Sequence, residues 1–331
     1  MAIYYADTAG SNTSPYDTWE KAATDPQTVI DLCISGGNEI RLRGSFGSSV
    51  LPVTFDNTTQ GDTTNGFNKF IGYAADGSRD GTKVVFDGEN TATNCIVIDD
   101  CDYWHAENIK AVDATGDNIT TASNSYHWCM VNTEGSGAGG YGAGLSSLSY
   151  SLLINYLGYN NATGGLSLSG TSTVVGLVLH SNQYGFRADT FSSGVVVGFL
   201  IYNNTSYGIY NCPANSRFIN GVIHNNGSPQ IEQNYDVRGQ VFIGTRFTGS
   251  GAGEYAVKAS INMIMLAFCY FQQNGGSNFD GSAWFDVEML GASTNVFSGI
   301  DTDYGYTDSS SGDFNLAASA TMRDISITLS E

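Results

Sequence analysis

The sequence predicts an all-β chain wound into a parallel β-helix, and three observations carry the prediction. A pattern recurs through the middle of the chain, in "YNNATGGLSL" from Tyr159, "HSNQYGFRA" from His180, "YNNTSYGIYN" from Tyr202 and "HNNGSPQIEQ" from His224. Asn160, Asn182, Asn204 and Asn226 follow one another at 22 residues, and an aliphatic column of Leu157, Leu179, Ile201 and Ile223 keeps the same spacing three positions earlier. The composition agrees: 41 glycines, 19 tyrosines and 17 phenylalanines beside only 14% charged residues suit many tight turns and half-buried pleated surfaces. A repeat this short has no room for a helix beside two strands, which argues against a leucine-rich horseshoe or a TIM barrel. A coil of parallel strands, each turn stacked on the last at roughly 4.8 Å, satisfies it.

The elements follow in order. Residues 1–35 read as an N-terminal cap that covers the raw end of the coil. In "ATDPQTVIDLCISGG", Asp25 caps a short helix, Pro26 fills its first turn, Val29, Ile30 and Cys33 form its apolar face, and Gly36 and Gly37 end it. Rungs occupy 36–299, beginning with "NEIRLRG", "NKFIGY" and "KVVFDG" as strands. Residues 52–67 and the glycine-rich 132–149 read as loops leaving the coil. Each central rung holds an alternating strand, such as Val175, Leu177 and Leu179, and a shorter second one, such as "YGFRA". Asparagine fits one fixed corner, because it tolerates left-handed backbone and its amides can hydrogen-bond along a column. In the last segment, 300–331, "DTDYGYTDSSSGDFNL" reads as a loop and "MRDISITLS" as a closing strand. No shift in composition divides the chain, so 1–331 reads as one domain.

Several function classes are disfavoured. With 32 acidic and 13 basic residues the formal net charge is −19, which repels a polyphosphate backbone, and nucleic acid is not expected as a partner. No apolar run is long enough to span a membrane, and "MAIYYADTAGS" lacks the pattern of a secretion signal. Cys33, Cys95, Cys101, Cys129, Cys212 and Cys269 are widely spaced without a CxxC pair and read as buried free thiols.

The chain resembles the right-handed parallel β-helix, or pectate-lyase-like, superfamily. The resemblance rests on "GGNEIRLRG" (36–44), "NKFIGY" (68–73), "VVFDGE" (84–89), "DCDYWHAENIKAVDAT" (100–115), the rungs at 159–233 and "SGDFNLAASATMRD" (311–324). It implies a right-handed, single-stranded coil along nearly the whole chain. It does not choose a function, because the superfamily holds lyases, hydrolases, adhesins and phage virion proteins.

The residues offer few chemical signatures. A polysaccharide lyase needs a base, and usually a cation, to remove the proton beside a sugar carboxylate, and the arginines are scattered. The densest acidic cluster is Asp99, Asp100, Asp102 and Glu107 around Trp104 and His105, a set able in principle to cleave a glycosidic bond or to bind Ca²⁺. The simpler reading is a turn with solvated acids and a packed tryptophan. His127 and Trp128 in "SYHWC" can stack on a sugar but read more simply as packed aromatics, and Asp76 and Asp80 in "DGSRDG" as a turn. His180 falls in a column of rings, and Arg187 in a short second strand facing outward.

From these features the favoured expectation is a non-enzymatic phage virion protein. It would be a capsid decoration or cement protein, assembled in the host cytoplasm as a homotrimer on the major capsid protein, with no cofactor, nucleic acid or membrane. The alternative is a tailspike or secreted polysaccharide-degrading enzyme, lyase or glycoside hydrolase, which adds carbohydrate as the partner.

Overall fold

In the computed structural model, parallel strands coil into two facing sheets. Residues 1–168, 170–188, 193–211, 215–227, 229–233 and 240–249 are described, with the strand segments 257–259, 264–267, 269–272, 279–280, 296–299, 306–308 and 313–316 beyond them. The first sheet runs through Ile3–Asp7, Glu39–Arg43, Asn68–Gly72, Trp104–Val112, Cys129–Ser136, Leu152–Tyr159, Thr173–His180, Val195–Tyr202 and Arg217–His224, and on to Val296–Gly299. The second stacks Val53–Phe55, Ile96–Ile98, Ile119–Thr121, Tyr141–Leu145, Gly164–Leu168, Tyr184–Arg187, Tyr207–Tyr210 and Ile231–Gln233, and on to Phe279–Asp280. Between the sheets lies one apolar core, with Phe46, Phe55, Phe70, Phe86, Trp104 and Trp128 at its N-terminal end and Phe186, Phe218, Phe242 and Phe247 further along.

The long strands of the first sheet bend halfway. A column of left-handed residues, Asn108, Asn132, Asn155, Gly176, Gly198, Asn220 and Gly244, with φ between 52° and 72°, turns each rung at the same place. The bend also resets the alternation of side chains. Val174 rather than Val175 faces the core with Leu177 and Leu179, and Val175 stands 38% exposed, because Gly176 (φ 72°) shifts the pleat by one residue.

The repeat is not a constant 22 residues. Leu152 pairs with Thr173, a rung of 21, whereas Thr173 pairs with Val195 and Val195 with Arg217. Two expected ladder members therefore move. Gly158, not Leu157, shares the column of Leu179, Ile201 and Ile223, and Leu157 is half-buried on the outer side opposite Val178. Asn161, not Asn160, joins Asn182, Asn204 and Asn226, while Asn160 takes a left-handed turn position (φ 55°). In the ladder each Oδ1 accepts from both the backbone N and the side-chain Nδ2 of the asparagine one rung earlier: Asn161 on Asn182 (3.0 and 2.9 Å), Asn182 on Asn204 (3.0 and 3.0 Å), Asn204 on Asn226 (3.1 and 2.7 Å). All four are at most 5% exposed.

Glycines make room for this ladder. A Cβ at Gly165 would stand 2.7 Å from Leu179 Cδ2 and 3.0 Å from the Asn182 amide, and one at Gly185 would collide with Ile201 and with the Gly208 carbonyl. The glycine-rich stretch 132–149 is for this reason mostly strand, Cys129–Ser136 and Tyr141–Leu145, and not a projecting loop. Likewise 52–67 contributes Val53–Phe55 to the second sheet. At the far end, Tyr306–Asp308 and Asp313–Leu316 pair as an antiparallel hairpin where a loop was expected, and the expected closing strand in "MRDISITLS" lies outside the described residues.

The coil begins earlier than "NEIRLRG", since Ile3–Asp7 already pairs in parallel with Glu39–Arg43. Helix Pro26–Ile30 has its N-cap at Asp25, whose carboxylate accepts from Gln27 N at 2.9 Å, and it buries Val29 and Ile30. Gln27 then acts as a substitute strand. Its side-chain amide donates to Thr54 O (3.0 Å) and accepts from Thr54 N (2.7 Å), satisfying the edge of the second sheet at its first strand. Gln27→Ala is expected to cost about 1–3 kcal/mol and to speed hydrogen exchange at the Thr54 amide, measured by denaturation and NMR.

Cations and carboxylates pair on the outer face of the N-terminal rungs. Glu134 meets Lys83 Nζ at 2.9 Å and Lys110 Nζ at 2.7 Å, and accepts from the Tyr159 hydroxyl at 2.9 Å, with its side chain 9% exposed. Burial pushes its carboxyl up, but the lysine hydrogen bonds and charges outweigh that and hold it below its usual value. A carboxyl lowered in the fold adds stability above the ordinary carboxylate range, and that stability is lost as pH falls through the folded value. Glu134→Gln is therefore expected to lower stability by about 3 kcal/mol at neutral pH, with the difference closing toward acid. Urea titrations of both proteins across pH check this.

Candidate functional site

The outer face of the second sheet carries a strip of polar aromatic side chains. Two outward columns build it: Tyr141, Gly164, Tyr184 and Tyr207 in register, and beside them Ser167, Arg187, Tyr210 and Glu232. Tyr184, Tyr207 and Tyr210 stack on one another with centroids 5.1–5.7 Å apart and rings within 20° of parallel. Arg187 lies over two of them, 5.8 Å from the Tyr184 centroid and 5.6 Å from that of Tyr210. Its Nη1 donates to the Tyr141 hydroxyl at 2.9 Å.

That last contact spans two rungs, and Gly164 permits it. A Cβ there would stand 2.6 Å from Tyr141 Cε1, so only glycine lets the Tyr141 ring lie across the intervening rung to reach the guanidinium. The backbone side of Tyr141 is fixed by Asp117, whose carboxylate accepts from Tyr141 N at 2.7 Å. Burial raises the Asp117 carboxyl above its usual value, only partly offset by that hydrogen bond and one to Thr120. At the far end, a hydrogen bond to Glu232, with burial, holds the Tyr207 phenol well above its ordinary value. The strip thus has a row of phenols, one guanidinium at its centre, and carboxylates at its two ends.

The acids singled out in the sequence do not converge. Asp99 and Asp100 sit in the turn before Trp104–Val112, Asp100 in left-handed backbone (φ 51°), and Asp102 accepts from Tyr126 N at 2.7 Å, a corner-stabilising role. Glu107 lies along the strand itself, ion-paired with Arg79 and 3.0 Å from His105 Nε2. Among the described residues no three His, Cys, Asp or Glu side chains are placed to hold a metal ion, so this donor set does not fit Ca²⁺. Asp76 and Asp80 accept from the amides of Ser78 and Thr82, as turn residues do. Trp104 and Trp128 are core residues, whose indole N–H groups donate to the carbonyls of Thr59 and Cys101. Cys33, Cys95 and Cys101 are buried free thiols, pushed up to about 12 chiefly by burial; Cys212 lies outside the described residues. His180 stacks between Tyr159 (5.1 Å) and Tyr202 (4.8 Å) as one ring of a column, and not as a base paired with Arg187.

Sequence reasoning did not single out Tyr141, Gly164, Tyr184, Tyr207 or Tyr210 as a site. The signal for it was present in the repeated ring–glycine pair of "YGAGL", "YGFRA" and "YGIYN", which places a ring outward and a glycine against the ladder at each turn.

No family model matches the sequence, and no curated protein does. Solved structures do. The chain superposes on pectate lyase Pel9A with a TM-score of 0.73 at 15% identity, over 97% of this chain and 90% of that one. The fold is that of the pectate-lyase-like parallel β-helices. An alginate lyase from Paenibacillus sp. str. FPU-7 matches with a TM-score of 0.51 at 13% identity, over 90% of this chain and 99% of that one. These neighbours, a pectate lyase and an alginate lyase, overturn the expectation of a non-enzymatic capsid cement protein, since they point to polysaccharide-active proteins.

Proposed function

We propose that this β-helix binds a uronate-containing polysaccharide along the outer face of its second sheet and cleaves it by β-elimination, with Arg187 and Tyr141 at the reacting centre. The Arg187–Tyr141 contact carries the reading. Elimination needs a cation on the sugar carboxylate and a base at the neighbouring carbon, and here a guanidinium and a phenol oxygen stand 2.9 Å apart on an outward face. Deprotonated Tyr141 takes the C5 proton, the C4–C5 double bond forms as the C4–O bond breaks, and the proton returns from Tyr141 to the leaving oxygen. Arg187 stabilises the charge that builds on the carboxylate. Hydrolysis is the weaker alternative, because it needs two carboxylates facing one bond, and in this strip Asp117 is tied to Tyr141 N and Glu232 to Tyr207.

The strip reaches from Tyr141 to Glu232 over five rungs, roughly 19 Å at the strand spacing, enough for several sugars. One central cation in a chain of net charge −19 suits a polymer whose uronates are interspersed with neutral sugars better than one charged at every residue. The fold shared with pectate lyase Pel9A and the alginate lyase supports the substrate class. The test is incubation with polygalacturonate, alginate and bacterial heteropolysaccharides containing uronates, following the ultraviolet absorbance of the unsaturated product. Absorbance should rise most with a mixed polymer; no rise with any of them would refute the reading.

A further inference from the structure

The first sheet carries a separate pocket at its N-terminal rungs, about 530 Å³ in volume, within the range of small-ligand sites. One wall is a column of rings at successive corners. Phe67 meets Tyr103 edge-on at 5.7 Å, His127 stacks on Tyr103 at 4.6 Å and 6°, and Tyr150 stacks on His127 at 6.0 Å and 18°. Tyr103, His127 and Tyr150 are all held in left-handed backbone, at φ 58°, 58° and 51°, a conformation costly for bulky residues. The column stops at Tyr150, where the next rung carries Thr171 and Ser172, and Tyr150 is left 65% exposed. The floor is the outward column Lys69, His105, Cys129 and Leu152, and Arg79 also lines the pocket.

Two polar groups in this pocket stand apart. Of the seven lysines and arginines in residues 1–110, Lys21, Arg41, Arg43, Arg79, Lys83 and Lys110 each pair with a carboxylate, and Lys69 does not. His127 Nδ1 is buried without a hydrogen-bond partner. An unpaired ammonium and an unsatisfied ring nitrogen beside an open aromatic face call for an anion joined to a flat, partly apolar body.

We propose that this pocket binds a carboxylated sugar, with its ring on the open face of Tyr150, its carboxylate on Lys69, and one polar group at His127 Nδ1. Glu107 is already neutralised by Arg79, and it bonds His105, so Lys69 sets the sign of the pocket. The pocket lies on the other sheet from the Arg187 strip and does not depend on it. It holds a chain end or side branch without cutting it.

The test is calorimetric titration of the full chain with digalacturonate, neutral digalactose and inorganic phosphate, on wild type, Tyr150→Ala, Lys69→Met, Lys69→Arg and Arg187→Ala, with melting curves confirming folding. Digalacturonate should bind at least tenfold more tightly than digalactose. Tyr150→Ala and Lys69→Met should each weaken binding at one site tenfold or more, Lys69→Arg should retain it, and Arg187→Ala should remove only the separate site on the other sheet and leave this one unchanged. Equal binding of digalactose, competition by phosphate with no effect of Tyr150→Ala, loss of all binding in Arg187→Ala and none in Lys69→Met, or no binding at millimolar ligand would each overturn the proposal.

Discussion

Arg187→Ala is expected to lower kcat on a uronate polymer by about 10³-fold, which corresponds to about 4 kcal/mol of lost transition-state stabilisation. The guanidinium is held by two ring faces and the Tyr141 hydroxyl, so it is positioned before substrate arrives and little reorganisation is needed as charge builds. Tyr141→Phe keeps the ring over Gly164 but removes the proton carrier, and it should lose activity to a similar extent with a smaller change in KM. Lysine at 187 restores charge without the planar fork that faces two rings, and it should recover only a small part of the rate. Steady-state rates of product formation for the three variants check this. An Arg187→Ala variant within threefold of wild type would remove the guanidinium from the proposed reaction.

Asn182→Ala is expected to destabilise the coil by about 4 kcal/mol. The side chain is 1% exposed and serves four hydrogen bonds, accepting from the N and Nδ2 of Asn161 and donating to Gly158 O (3.2 Å) and to Asn204 Oδ1 (3.0 Å). Alanine leaves the Asn161 amide groups and the Gly158 carbonyl buried and unsatisfied, at about 1–3 kcal/mol each and less than additively. Asn160→Ala, one residue before the ladder, should cost far less, since its left-handed φ is the feature it contributes. Chemical denaturation of the two variants separates them, and equal losses would contradict the ladder assignment.

This pair of asparagines shows how far the sequence could be read. The coil was legible because buried columns demand the same residue type at each turn. The register was legible only to within one residue, because "YNN" offers two asparagines and a constant 22-residue count selects the first. Counting instead from the ring column, Tyr159, His180, Tyr202 and His224, places Asn161, Asn182, Asn204 and Asn226 two positions on, and "HSN" confirms it, since Ser181 fills the turn position and only the ladder position keeps asparagine. The outward pairing of Arg187 with Tyr210 and Glu232 was also legible from spacing. Its contact with Tyr141 was not, because it crosses a rung and depends on a missing side chain at Gly164. The acidic cluster misled for the opposite reason: Asp99, Asp100, Asp102 and Glu107 are close in sequence, but a corner and a strand send them to different tasks. In a coil, residues one rung apart are neighbours more often than residues four apart in the chain.

Substrate is expected to lie along the outer face of the second sheet with a carboxylate at Arg187. The most direct measurement is a crystal structure of Tyr141→Phe soaked with a uronate oligosaccharide. Sugars should run along the coil axis past Tyr184, Tyr207 and Tyr210, with one carboxylate hydrogen-bonded to the Arg187 guanidinium. An oligosaccharide bound across the first sheet, with Arg187 still on its phenol neighbours, would contradict it.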